Sequence, residues 1–273
     1  MISSWKLKVA MGLIGWIVTA SSALAVTLQP DEANSKDVFV YEFDVPGIFG
    51  IPTPPRTTNL DTDTLSQITP PPVPFGNFLG SAVTDPFALT PEGPLRQHGT
   101  RSLIQFPLDS VSLTASEVDR AWLNVYALPA LSAFESPSTS NPVTIDLRRV
   151  TQDWNEQTVT WENSPMVDDN LSATQIQSSV DTWIRFDVTD LVNAWLTDPS
   201  SNDGMELSQR DVVEIEVPGE RDRYVASLFA SSATADASLR PFLEIRPVPE
   251  PSAGVLAAIA GLGAILRRRS RQK

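Results

Sequence analysis

The chain has 273 residues, with 41% hydrophobic and 19% charged residues, no cysteine and one histidine, His98. That is a globular composition long enough for one large domain or two small ones, and it excludes disulfide scaffolds, thiolate metal sites, thiol nucleophiles and multi-histidine metal centres. Seven of the 20 basic residues sit in the terminal segments, leaving 13 against 33 acids, a balance that repels polyanions and excludes nucleic acid as a natural partner.

The N-terminus carries Lys6 and Lys8, an apolar run from Val9 to Val18, and Ala23-Leu24-Ala25. This is the three-part pattern of a secretory signal peptide over residues 1–25. Ala23 and Ala25 are small enough for recognition by signal peptidase, and cleavage after Ala25 leaves Val26 as the first mature residue. An uncleaved anchor helix is the alternative. The body from Val26 to Pro247 is therefore expected outside the cytoplasm.

The body shows short apolar runs punctuated by turn residues, the pattern of a β-sandwich or barrel. Predicted strands are Val38–Phe43, Ser102–Phe106, Ala121–Leu128, Val143–Val150, Thr158–Trp161, Trp183–Asp187, Met205–Ser208, Val212–Val217, Ala226–Ala230 and Phe242–Arg246. In Ala121–Leu128 one face carries Ala121, Leu123, Val125 and Ala127, and the other Trp122, Asn124, Tyr126 and Leu128, so both sides look buried. In the fourth strand Val143, Ile145 and Leu147 face the core while Thr144, Asp146 and Arg148 face out.

From Pro46 to Pro94 eleven prolines interrupt the pattern, which predicts a long surface insertion of extended backbone. One short helix is predicted over Thr189–Leu196. Thr189 or Asp190 caps it, Leu191, Val192 and Trp195 share a face, and Pro199 with Asn202-Asp203-Gly204 ends it.

No nucleophile elbow, phosphate loop, zinc-protease helix or calcium-loop pattern is present. Carboxylate pairs such as Asp61/Asp63 and Asp168/Asp169 are expected by chance among 33 acids, so they do not point to a glycosidase. Asp168-Asp169-Asn170 and Asn59–Asp63 are oxygen-rich loops that could hold Ca2+; a solvated loop is the simpler reading. No other cofactor is implied. Trp154, Trp161, Trp183 and Trp195 are read as core or corner residues, with one of them available to stack on a sugar ring. Asp153, Asn155 and Glu156 read as turn and capping groups.

The C-terminus, residues 248–273, reads Pro249-Glu250-Pro251, an apolar run Ala253–Leu266, then Arg267, Arg268 and Arg269 followed by further basic residues. Fourteen residues of helix span about 21 Å, short of the roughly 20 residues of a stable transmembrane helix. The arginines act as a basic stop that stays cytoplasmic. This order resembles the PEP-CTERM sorting signal of Gram-negative bacteria. The resemblance implies an exosortase-type membrane protease as partner, cutting near Pro249-Glu250-Pro251 after a transient inner-membrane stage, and a destination at the cell surface or in an exopolysaccharide matrix.

Three segments of the body also carry a resemblance: Arg101–Phe106; Val150–Pro165, with Asp153-Trp154-Asn155 and Thr160-Trp161-Glu162; and Trp183–Leu196. Ser231-Ser232 and Arg240–Ile245 close the set. Their order resembles the DNRLRE domain of bacterial and archaeal surface proteins, part of which is classed as carbohydrate-binding modules with alginate-type polysaccharides among their ligands. The third segment is also similar to the arm domain of TGF-β propeptides. The resemblance implies an all-β, jelly-roll-like antiparallel sandwich with one short helix over residues 26–247. It departs at Pro107, where the family usually has Asp, and through the insertion at about residues 46–94. The implied function is non-catalytic binding of exopolysaccharide. A structural or adhesive matrix protein without a specific glycan is the alternative, and a polysaccharide-degrading enzyme a more distant one. The sequence does not single out ligand-binding or metal-binding residues.

Overall fold

In the computed structural model the chain is described at residues 24–29, 36–44, 56–59, 78–81, 89–90, 93–94, 96–130, 135–160, 163–211, 213–215 and 223–249. Leu24–Val248 form one compact unit. The strands in chain order are β1 Val26–Leu28, β2 Lys36–Asp44, β3 Arg56–Asn59, β4 Phe78–Ser81, β5 Leu89–Thr90, β6 Gly93–Pro94, β7 Arg96–Gln105, β8 Val118–Leu128, β9 Val143–Arg149, β10 Ala173–Gln177 and β11 Thr182–Asp187. Helix α1, Thr189–Thr197, follows, then β12 Met205–Gln209, β13 Glu214–Ile215, β14 Arg223–Tyr224, β15 Ser227–Ala230 and β16 Phe242–Pro247.

Period-two patterning builds two antiparallel sheets. In the first, β8 is central, flanked by β11 on one side and by β16 and β15 on the other; β1 extends β16 and β4 extends β15. The second runs β10-β9-β12-β7-β2-β3. The chain crosses between the sheets several times, with β2–β3 and β9–β10 staying in the second sheet and β15–β16 in the first, and the faces the two sheets turn toward each other form the main core. Leu123 sits opposite both Phe186 and Leu243, and this row packs with Ile104, Val143, Ile145, Leu147, Met205 and Leu207 of the second sheet. Each large side chain fully buried there contributes roughly 1.5–3 kcal/mol of hydrophobic stabilisation.

Val143, Ile145 and Leu147 face this core as their alternation requires. Asp146, on the opposite face, is nevertheless buried. Arg210 grips it with Nε to Oδ2 at 3.0 Å and a terminal nitrogen to Oδ1 at 2.6 Å, and the Thr174 hydroxyl donates at 2.6 Å. Burial raises this carboxyl, but the hydrogen bonds from Arg210 and Thr174 and the charges of Arg210 and Arg148 outweigh it and hold the group below the usual aspartate range.

Three further expectations need correction. Thr158–Thr160 is not a strand but part of a loop, Thr151–Val167, folded over the outer face of the second sheet. There Trp154 and Val159 join Val38, Val40, Leu103 and Val150 in a second core. The Trp154 indole donates to the Asp203 carbonyl at 2.8 Å, and the Glu156 carboxylate accepts from the Asp37 N–H at 2.8 Å. The Pro-rich segment does not merely interrupt the sheets: β3 pairs with β2 and β4 pairs with β15, one strand for each sheet. Helix α1 has Val188, not Thr189 or Asp190, at its N-cap. The Asp187 carboxylate instead accepts from the Thr189 N–H at 3.1 Å and its hydroxyl at 2.6 Å. Leu191, Val192 and Trp195 are buried as the helical spacing predicts.

Candidate functional site: an aromatic face on the first sheet

Side chains on a strand alternate, so burying Leu123, Val125, Ile184, Phe186 and Leu243 forces their neighbours onto the solvent side. On the outer face of the first sheet the register brings Trp183 beside Tyr126, Arg185 beside Asn124 and Phe242, Asp187 beside Trp122 and Glu244, and Arg120 beside Arg246. Four aromatic rings from three strands thus share one flat surface among charged and amide groups.

The rings are held in fixed geometry. Trp183 meets Tyr126 edge-on, with centroids 5.3 Å apart and planes at 75°. It meets Phe242 at 5.0 Å and 71°. Two such contacts restrain the indole while leaving it 38% exposed, more than the Trp122, Trp154 and Trp195 side chains. Trp122 is covered instead: the Arg185 guanidinium lies 3.7 Å from its ring centroid and that of Arg246 lies 5.0 Å away. Both arginines pair with Glu244, at 2.6 and 3.2 Å, and Arg120 pairs with Asp187 at 2.9 Å. Partial burial raises the Asp187 carboxyl, but Thr189 and Arg120 outweigh it and hold the group below the usual aspartate range.

Chemically this face offers a partly exposed indole fixed by two T-shaped ring contacts, flanked by paired ions that still have hydrogen-bonding capacity at their edges. An indole face suits the C–H face of a sugar ring, and the flanking donors and acceptors suit its hydroxyls. Among the described residues no group of three His, Asp or Glu side chains gathers as a metal-ligand set.

The other sequence-predicted residues fall elsewhere. Ala25 is exposed immediately before β1. Ala23, Glu250, Pro251, Arg267, Arg268, Arg269 and Trp161 lie outside the described residues, as does the Asp61/Asp63 pair, while Pro249 is the last residue before that limit. Among the described residues no helix is long and apolar enough to cross a membrane; both terminal apolar runs lie outside them. Asp168 and Asp169 are exposed in a loop. Asn155 accepts from the Gln157 N–H in its own turn at 2.9 Å, the turn role expected of it, whereas Asp153 pairs at 3.3 Å with Lys36, far along the chain. Of the tryptophans singled out in the sequence, Trp154 and Trp195 are buried in the two cores and Trp183 lies on the outer face. Tyr126, Phe242 and the three arginines were not singled out; their shared parity around β8 is the signal that finds them.

Residues 89–212 match carbohydrate-binding module family 96. The matched stretch runs from β5 through α1 and β12. It includes Trp122, Tyr126, Trp183 and Arg185, and it stops before Phe242, Glu244 and Arg246. The chain therefore carries a carbohydrate-binding-module-like segment on a mostly β, antiparallel framework. No curated protein matches the chain.

Proposed function

We propose that this protein is an exported, non-catalytic glycan-binding protein of the bacterial cell surface or exopolysaccharide matrix, and that Trp183 is the centre of its binding face. The observation that carries the reading is the partly exposed Trp183 indole, held by two T-shaped ring contacts, inside the segment that matches a carbohydrate-binding module family. Two antiparallel sheets packed face to face around one core support the jelly-roll-like form expected from the DNRLRE resemblance. The ligand is a neutral polysaccharide: Arg120, Arg185 and Arg246 are already paired with carboxylates, and the acidic body repels polyanions.

Affinity electrophoresis through gels containing extracted matrix polysaccharide, or neutral polysaccharides of known linkage, tests this. The wild type is retarded. Trp183→Ala, checked for folding by circular dichroism, weakens binding at least tenfold, equivalent to about 1.4 kcal/mol. Undiminished retardation of the variant would remove Trp183 from the site, and no retardation in any gel would remove the function.

Export and sorting rest on the terminal segments. Ala23 and Ala25 present the signal-peptidase site, and Pro249-Glu250-Pro251 with Arg267, Arg268 and Arg269 present the exosortase signal. Mass spectrometry of the protein recovered from the cell surface then gives an N-terminus at Val26 and a C-terminus near Pro249. Intact termini would refute both cleavages.

A further inference from the structure

Among the ten asparagines of the chain, Asn170 alone begins an Asn-x-Ser/Thr triplet, in Asp168-Asp169-Asn170-Leu171-Ser172. That triplet, with any residue but proline in the middle, is the acceptor pattern of N-glycosylation. The Asp168 carboxylate, two positions before the asparagine, adds the feature by which bacterial oligosaccharyltransferases narrow the pattern.

The structure presents this segment as such an enzyme needs it. Val167 bridges Val150. The Asp168 N–H donates to the Arg149 carbonyl at 2.9 Å, and the Ser172 N–H donates to the Leu147 carbonyl at 2.9 Å. Between those two bonds Asp169, Asn170 and Leu171 stand against the single residue Arg148 of β9, so the surplus backbone is thrown clear of the ladder. All five residues from Asp168 to Ser172 are exposed. The Asn170 amide and the Ser172 hydroxyl make no hydrogen bond among the described residues, so the amide is open to approach and the hydroxyl is free to turn toward it. The segment leads directly into β10, the terminal strand of the second sheet. Leu171 is 43% exposed there and Ile176 69%. An apolar flank on a terminal strand invites pairing with another chain.

We propose that Asn170 is an N-glycosylation site and that its glycan shields the β10 edge. The donor is an oligosaccharide carried on a polyprenyl diphosphate. Asn170 Nδ2 bonds to the anomeric carbon as the bond from that carbon to the diphosphate oxygen breaks. The lipid diphosphate leaves with the electron pair, and the Nδ2 proton passes to a carboxylate of the transferase. The inference rests on the export part of the function proposed above, because this transfer takes place outside the cytoplasm, and it is independent of Trp183.

The test uses the protein recovered from the surface of its own cells and digested with trypsin, which releases residues 150–185 as one peptide. Electron-transfer fragmentation finds a glycan mass on Asn170. Asn170→Gln and Ser172→Ala lose it, Ser172→Thr keeps it, and Asp168→Ala lowers its occupancy at least tenfold. Asn170→Gln also self-associates more strongly than the wild type in sedimentation, and adding Ile176→Lys reverses this. An unmodified peptide on a chain that begins at Val26 overturns the proposal and leaves export standing. An unmodified peptide on a chain with an intact N-terminus overturns export and the proposal together. A glycan on Asn170 whose loss does not change self-association refutes the shielding.

Discussion

Replacing Gly204 with alanine separates two physical costs at one position. Gly204 has φ of +91°, and a Cβ there would lie 2.5 Å from the Ile104 carbonyl oxygen and 3.0 Å from Gln105 Cβ. An L-residue in left-handed backbone costs roughly 1–2 kcal/mol. The contact adds about 1–3 kcal/mol of overpacking, because Ile104 belongs to β7 and sits opposite Met205 in the ladder, so its carbonyl cannot withdraw freely. The neighbouring bonds are also at stake: the Gly204 carbonyl accepts from the Val150 N–H at 3.0 Å. A total of about 2–5 kcal/mol, at roughly 2–4 °C per kcal/mol for a domain of this size, lowers Tm by about 10 °C. Thermal melts by near-ultraviolet circular dichroism measure it. Gly204→Asn divides the costs, since asparagine tolerates positive φ but brings the same Cβ. A drop below about 2 °C for alanine would refute the reasoning, and a fully stable asparagine variant would show that the Ile104 contact yields.

Two further predictions rest on buried or bonded carboxylates. Asp187→Ala removes the acceptor for the first-turn N–H and hydroxyl of Thr189 and costs about 1 kcal/mol, while Asp187→Asn keeps an acceptor and recovers most of it, because the exposed pairing with Arg120 adds little; denaturant midpoints compare the three proteins. Glu206 is buried near Arg101 and Arg148, with one carboxylate oxygen lacking a hydrogen-bond partner among the described residues, and burial outweighs the arginines to push its carboxyl above the usual glutamate range. The folded state then holds this proton more tightly than the unfolded chain, so the group's contribution falls as pH rises through the shifted value. Glu206→Gln therefore raises Tm relative to wild type at neutral pH, with the difference vanishing below about pH 4. A variant destabilised at neutral pH, with the difference vanishing below about pH 4, would show that the Arg101 pairing dominates.

Where alternation is strict and one face is deeply buried, the strand and its core face are legible from sequence: Ala121, Leu123, Val125 and Ala127 of β8 and Val143, Ile145 and Leu147 of β9 enter the core as expected, whereas the Trp122 and Tyr126 side of β8, expected to be buried too, is only half-buried. The helix is legible for the same reason, through Leu191, Val192 and Trp195. Edge strands are not. Ala173-Thr-Gln-Ile-Gln forms β10 with Ile176 exposed, because a strand paired on one side needs little apolar content. Val159 misleads in the opposite direction: its apolar neighbours satisfy a loop packed on the outside of a sheet rather than a strand within one. Asp146 reads as solvent-facing because parity gives the face but not what covers it, and Arg210 and Thr174 come from elements far along the chain. The aromatic face was half visible. Trp183 stood out by type, but its selection over Trp154 required knowing which residues share a row across β8, β11 and β16.

Strand β1 has a single partner, and that partner is the last strand of the domain: Val26 lies opposite Ile245 and Leu28 opposite Leu243. β16 in turn covers one flank of the central strand β8. The first sheet therefore cannot close until nearly the whole domain has been delivered, since its opening and closing strands pair across almost the full length of the chain. For a polypeptide threaded through a membrane from its N-terminus, such late closure keeps the earlier segments pliable during passage and reserves the cooperative step for the far side. By the same pairing, the two ends of the domain leave from one corner of the first sheet.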